Sequence, residues 1–212
     1  GKIFRSLLKK AGIDDNTVLA SPERITTVKT RVIAGHQHLL RIDNETEQYL
    51  SHALEEKLNE NIKAIIDSTK IDAIIFQDYD KGIITPGLID FIIQLAQKKG
   101  IPTLVDPKKR NFKHYHHATL FKPNFKELTE GLNLHIDKND IDAIGEAAKK
   151  LRKKQSFEAV LVTLSENGML ITDNHNYHIV PAIKREVADV SGAGDTVIAM
   201  ASLCLACGID AV

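Results

Sequence analysis

No stretch of this 212-residue chain stays apolar long enough to cross a bilayer, which takes roughly 20 residues in a helix. The N-terminal GKIFRSLLKKAG has no hydrophobic block of the kind a secretory signal needs, so the pattern predicts a cytoplasmic protein without a membrane partner. Excess charge of either sign is missing as well. Lys plus Arg equals Asp plus Glu at 28 each, which removes the broad basic field of a protein that grips long nucleic acid. Any anion site must therefore be local. Cysteine is scarce: Cys204 and Cys207 form one C-x-x-C spacing. No second pair completes a zinc site and neither thiol stands at a helix start, so both read as small core residues of an apolar helix. There is no G-x-x-x-x-G-K-[ST] loop, internal repeat, low-complexity tract or flexible linker, and nothing divides the chain in its middle.

What is present is a 43% hydrophobic chain, enough for a sizeable core in one large or two small domains. Residues 1–12 carry a helical stripe of Ile3, Phe4, Leu7, Leu8 and Ala11, stopped by Gly12. Residues 25–43 are rich in β-branched side chains and break at Gly35, which predicts two strands or a hairpin standing outside the main sheet. A charged amphipathic helix follows over about 46–67, with Leu50, Leu54, Leu58, Ile62 and Ile65 on one face. Then strands and helices alternate: strands at 71–76, 101–106, 118–121 and 158–163, and helices near 86–98, opened by Pro86, and within 139–154. Short, continuously apolar strands between helices predict an α/β fold with a parallel sheet covered on both faces.

In such sheets ligands bind beyond the carboxyl ends of the strands. Those ends carry Asp78, Tyr79 and Lys81, then Asp106 and Lys108, then Lys122, Asn124 and Glu127, then Thr163 and Ser165. Together they outline a cleft of alternating charge that suits a phosphate, its metal ion and a hydroxylic partner. Near the C-terminus, VADVSGAGDTVIAMASLCLACG sets Gly192, Ala193, Gly194 and Asp195 at the mouth of an apolar helix. With so little side chain, the backbone N–H groups of 192–194 can approach an anion where the helix N-terminus is partially positive. The same field favours the ionised form of Asp195 and leaves it able to take a proton. A donor array beside a base describes attack by an alcohol on a phosphoryl group. The competing reading is that Asp195 merely caps the helix.

At these residues the chain resembles a known family. DVSGAGDTVIA is similar to the G-A-G-D signature of the ribokinase-like (PfkB) carbohydrate kinases, and KPNFKE to that family's N-x-x-E motif, in the same order. The resemblance implies a three-layer α/β/α fold with a mostly parallel central sheet and a small β lid, here 25–43. It implies that Asp195 is the catalytic base and that Gly192, Ala193 and Gly194 form the anion hole. It implies further that Asn124 and Glu127 organise magnesium indirectly, through ATP phosphates, with Phe125 and Lys126 at the nucleotide site. LVTLSENGMLI resembles the segment that brings Thr163, Ser165 and Gly168 to the nucleotide.

Within the family, KTRVIAGHQHLLRID, QDYDKGIIT and VDPKKRNFKHYHHATLFKPNFKEL are similar to the D-glycero-β-D-manno-heptose 7-phosphate kinases, the kinase half of ADP-heptose synthesis proteins. The implied reaction is ATP-dependent phosphorylation of the heptose 7-phosphate at its anomeric hydroxyl, a step toward the lipopolysaccharide core. Another ribokinase-like sugar or nucleoside kinase, or a nucleotide-binding module without turnover, are the alternatives. A substrate that already bears a phosphate needs cations and polar contacts, and Lys29, Arg31, Gln37, Asp78, Lys81, Asp106 and Lys108 are the candidates. His36 and His38 flank Gln37 where the family more often has asparagine and glutamine, and Ser191 stands for a commoner threonine. His114, His116 and His117 lack Cys or carboxylate partners at ligand spacing and are not read as a metal site. By analogy the hairpin predicts a homodimer. The family's kinase domain is longer at both ends, so the chain is expected to be a partial domain, lacking an N-terminal sugar-binding strand and C-terminal adenine-site helices, and weak or inactive as a kinase alone.

Overall fold

A computed structural model describes residues 1–15, 18–35, 37–183 and 192–209, and of residue 38 the backbone only. His36 and Ser191, and the side chain of His38, therefore lie outside the described residues. The chain divides into two compact units, Gly1–Ser68 with Lys81–Ile83, and Thr69–Asp80 with Ile84–Val212.

The first unit opens with helix α1 (Lys2–Lys10), none of whose residues is buried, so the predicted apolar stripe faces outward. Strands β1 (Val28–Ala34) and β2 (Gln37–Asn44) form the predicted hairpin as a separate antiparallel pair. Cross-strand partners share a face, so Val28, Thr30, Val32, Leu40 and Ile42 make one apolar side and Lys29, Arg31, Arg41 and Asp43 the other. Helix α2 (His52–Ser68) begins six residues later than its periodicity suggests. Residues 46–51 are held out of the helix by bonds no local pattern reveals: Leu50 N–H donates to the Gly82 carbonyl, and Arg24 donates to the Gln48 carbonyl at 2.7 Å.

The second unit is built on a six-stranded sheet whose spatial order follows chain order. Strands β3 (Ile74–Gln77), β4 (Thr103–Asp106), β5 (Leu120–Phe121) and β6 (Ala159–Thr163) run parallel, as their apolar runs predict. Strands β7 (Met169–Thr172) and β8 (Tyr177–Val180) add an antiparallel edge that the sequence reading does not contain. Helix α3 (Pro86–Lys99) starts at a Thr85 cap, with Pro86 in its first turn, and stops at Gly100 in the left-handed conformation. Helices α4 (Phe125–Leu132), α5 (Ile141–Gln155) and α6 (Ala193–Ala206) complete the unit.

Alternation along the strands divides the core. Leu104, Leu120, Ala159 and Leu161 pack with Ile198 of α6. Val105 and Phe121 point the other way, where Phe121 stacks on Phe157 at 4.5 Å and meets Phe112 edge-on. The cysteines depart from the core reading: Cys204 is half-buried, and Cys207 is the exposed C-cap of α6. Cys204 lines an apolar cleft of about 740 Å³ together with Met169, Ile171, Val197 and Met200.

Candidate active site

Parallel pairing sets the site. Register places Gln77, the last residue of β3, opposite Asp106, the last of β4. Lys122 follows β5 directly and is tied by its N–H to the Val105 carbonyl. Three adjacent strands thus end on polar side chains at one edge. Lys122 and Asp106 form an ion pair at 3.1 Å, with side chains only 3% and 8% exposed. Two charges taken out of water need further hydrogen bonds, and Gln77 Nε2 supplies one to Asp106 Oδ2 at 3.1 Å.

Above this pair stands the start of α6. Gly192 is its N-cap at φ 80°, a left-handed conformation that suits glycine. A Cβ on Gly194 would lie 3.5 Å from Lys122 Nζ and 3.9 Å from Asp106 Oδ2. Asp195 is in the first turn, and no side chain caps the helix, so the capping reading of Asp195 does not describe this geometry. Its Oδ1 instead accepts from Gln77 Nε2 at 3.1 Å. Beside the same carboxylate, partial desolvation, then the charges of Asp195 and Asp106, push the Tyr79 phenol above its ordinary range. Tyr79 therefore stays a protonated donor.

The second half of the edge is organised around Glu127. Asn124 and Glu127 form a reciprocal capping box at the start of α4, Asn124 Oδ1 accepting from Glu127 N–H at 2.8 Å and Glu127 Oε2 from Asn124 N–H at 2.9 Å. The other oxygen of Glu127 takes the ammonium of Lys108. Burial opposes the charge on Lys108, but the bond to Glu127 and the charges of Glu127, Asp106 and Asp78 outweigh it and raise its pKa. Phe125 is half-buried and Lys126 exposed in the same first turn. Thr163 joins Asn124 by a parallel bridge at the end of β6. Ser165 opens a single 3-10 turn that ends at Gly168, where φ is 87° and a Cβ would come within 2.1 Å of the Val180 carbonyl oxygen. Only glycine fits there.

Several candidate substrate residues are otherwise engaged. Asp78 is buried to 2% exposure and bound by Asn111 Nδ2 at 3.0 Å, the Tyr115 hydroxyl at 3.2 Å and the Asp80 N–H at 2.7 Å. It orders the loop after β3, with both carboxylate oxygens already bonded within the chain. Asp106 is likewise committed to Lys122 and Gln77. In the first unit Lys29 pairs with Asp43 and Glu45 at 3.3 and 3.0 Å, and Lys81 with Glu45 and Glu47 at 2.7 and 3.1 Å. Those bonds, Lys81's the larger, hold Glu45 below the usual carboxylate range. Arg31 stands opposite Arg41 in register, and Gln37 opens β2.

Gln77 and the buried state of Lys122 are what sequence reasoning misses. Gln77 opens the QDYDKGIIT segment, but no role is read for it there, and its local signal is a polar residue ending an apolar strand.

Set against known proteins, the model of the pfkB family of carbohydrate kinases matches residues 1–210. The bifunctional protein HldE of Helicobacter hepaticus is 37% identical over 203 residues, covering 96% of this chain and 41% of that protein. HldE of Helicobacter pylori strain J99 is 40% identical over 205 residues, covering 97% and 43%. The chain thus spans less than half the length of these relatives. Among solved structures, phosphofructokinase-2 from Escherichia coli in a tetrameric inhibited form superposes with a TM-score of 0.79 at 22% identity, over 99% of this chain and 68% of that one. An ADP complex of Bacillus subtilis pyridoxal kinase gives 0.62 at 17% identity, over 89% and 72%. These likenesses show the ribokinase-like α/β fold.

Proposed function

Because this chain belongs to the pfkB family of carbohydrate kinases, we propose that it is the kinase portion of a protein that phosphorylates D-glycero-D-manno-heptose 7-phosphate at its anomeric hydroxyl. The observation that carries the reading is the placement of Asp195: in the first turn of α6, directly after Gly192–Gly194, free of capping duty and bound by Gln77. The narrower substrate rests on the hairpin and strand-end segments that resemble heptose 7-phosphate kinases.

The residues divide the work as follows. Asp195 accepts the proton of the attacking hydroxyl as the new O–P bond forms. The N–H groups of Gly192, Ala193 and Gly194 receive the transferring phosphoryl oxygens, helped by the helix N-terminus and by the Lys122 ammonium close beneath Gly194. Asn124, Phe125, Lys126, Glu127, Thr163, Ser165 and Gly168 form the nucleotide side. ATP with magnesium supplies the phosphoryl group and neutralises its charge. Glu127 is a hard oxygen donor that suits this ion, and among the described residues no cluster of three His, Cys, Asp or Glu side chains could cage a metal. That donor set fits magnesium held largely through water and phosphates. Lys108, now on Glu127, would turn to a phosphate oxygen. For the distal phosphate of the sugar the hairpin offers Arg31 as first cation, with Lys29 and Gln37 as further contacts. The reaction draws on cytoplasmic ATP, and no described helix is long and apolar enough to cross a membrane.

The test is ADP release by the full-length protein across heptose 7-phosphate, fructose 6-phosphate, ribose, a nucleoside and a pyridoxal-type alcohol. Highest kcat/KM for the heptose phosphate is expected. Faster turnover of an unphosphorylated sugar overturns the substrate, and nucleotide binding without turnover on any of them overturns the kinase.

The apolar side of the hairpin, with Val28, Val32, Leu40 and Ile42 all exposed, supports pairing with a second copy of the same chain. A Val32→Glu/Leu40→Glu double variant is expected to halve the molar mass seen by light scattering. An unchanged mass removes the hairpin from the interface.

A further inference from the structure

We infer that Gln77 is a positioning residue for the base: a neutral double donor that fixes the orientation of the Asp195 carboxylate. The inference rests on the kinase reading above. Gln77 Nε2 lies 3.1 Å from Asp106 Oδ2 and 3.1 Å from Asp195 Oδ1. An amide nitrogen has two hydrogens, and ionised carboxylates only accept. The nitrogen, not the carbonyl oxygen, must therefore face both acids, and each hydrogen is committed to one of them.

The charges around this amide are divided unequally. The buried ammonium of Lys122 goes to Asp106 at 3.1 Å. Among the described residues Asp195 is in no ion pair; its bond is to the neutral Gln77 amide, with the Tyr79 phenol nearby. A lysine or arginine in place of Gln77 would orient Asp195 equally well, but it would hold the proton affinity of the carboxylate down and weaken it as a base. A glutamate there would add a third negative charge beside Asp106 and Asp195. A neutral donor avoids both. Because Gln77 is the last residue of β3 and pairs in register with Asp106, its side chain starts from a fixed point on the sheet. The orientation of Asp195 is thereby referred to strands β3 and β4 rather than to its own helix alone.

The test is the pH dependence of kcat and kcat/KM in the full-length protein, for the parent, Gln77→Leu, Gln77→Glu, Tyr79→Phe and Asp195→Asn. Losing a donor to a carboxylate makes its neutral form easier to reach, so the acid limb must move upward. Gln77→Leu is expected to raise its midpoint by about one pH unit and to cut kcat roughly 10- to 100-fold, with KM for ATP within about twofold. Gln77→Glu is expected to raise the midpoint further, through like-charge repulsion. Tyr79→Phe, at a residue 59% exposed, should shift it the same way by less. If Gln77→Leu folds too poorly to assay, the Gln77→Glu and Tyr79→Phe profiles decide alone.

A purely structural tie between strands would lower the melting temperature and kcat without moving the limb, and that result overturns the inference. So does an unchanged profile at unchanged kcat. The two readings fail differently. If Asp195→Asn keeps its turnover, the kinase assignment falls. If Asp195→Asn is inactive while the Gln77 variants keep the parent's acid limb, only the role of Gln77 falls.

Discussion

Asp195→Asn should lower kcat of the full-length protein by about a thousandfold, within the range by which a positioned general base accelerates proton transfer, while leaving nucleotide affinity and melting temperature close to those of the parent. The expectation of unchanged stability comes from what Asp195 does not do. The cap of α6 is Gly192, with no side-chain bond, so removing the charge takes nothing from the helix terminus except a favourable first-turn acid, an effect of about 0.3–1 kcal/mol. The amide introduced by the substitution keeps an oxygen that can accept from Gln77, so the geometry survives and only the basicity is lost. Single-turnover kinetics with a nucleotide-binding control checks this. Retained ATP consumption would show that another group takes the proton.

The second large effect concerns the pair beneath the glycines. Lys122→Met should destabilise the protein by about 3–5 kcal/mol, the usual cost of stranding one member of a buried ion pair. Asp106, 8% exposed, would keep only the Gln77 amide. The double variant Lys122→Met/Asp106→Leu separates stability from catalysis. Replacing both charges by apolar side chains of similar volume often restores stability, so urea unfolding should bring the double variant to within about 2 kcal/mol of the parent. Its activity should stay at least tenfold down, because the cation below Gly194 and the anchor of Gln77 have both gone. A double variant as active as the parent would make the pair structural only. One as unstable as Lys122→Met would mean that the site cannot accept apolar packing.

The parts of the fold legible in the sequence are those whose cause is local. Strands β3 to β6 announce themselves as short apolar runs set between helices, as a covered parallel sheet requires, and α3 because Thr85 and Pro86 are start signals in themselves. The late start of α2 is not local: Leu50 has helical spacing, but its N–H is claimed by the carbonyl of Gly82. Strands β7 and β8 hide because they are four residues each and are defined by pairing, β7 with β6 and β8 with β7. In the site, the order of the glycines, Asp195, Asn124 and Glu127 is readable as pattern. That Asn124 and Glu127 also cap each other is readable from the same spacing, so one signature carries two physical causes. Nothing local distinguishes Asp78, a buried loop anchor, from Asp106, half of an ion pair. The partners that separate them, Asn111 and Tyr115 for one and Lys122 for the other, are brought by the sheet.

Gln77 and Asp106 occupy matched rungs on neighbouring strands, and a pleated ladder alternates direction with every residue. Dropping one residue from β4 would move Val105 onto the rung of Asp106 and turn every side chain of that strand inside out. The groups around the base are thus indexed by counting along the sheet, and a length change that a surface loop would absorb would here erase the chemistry together with the core.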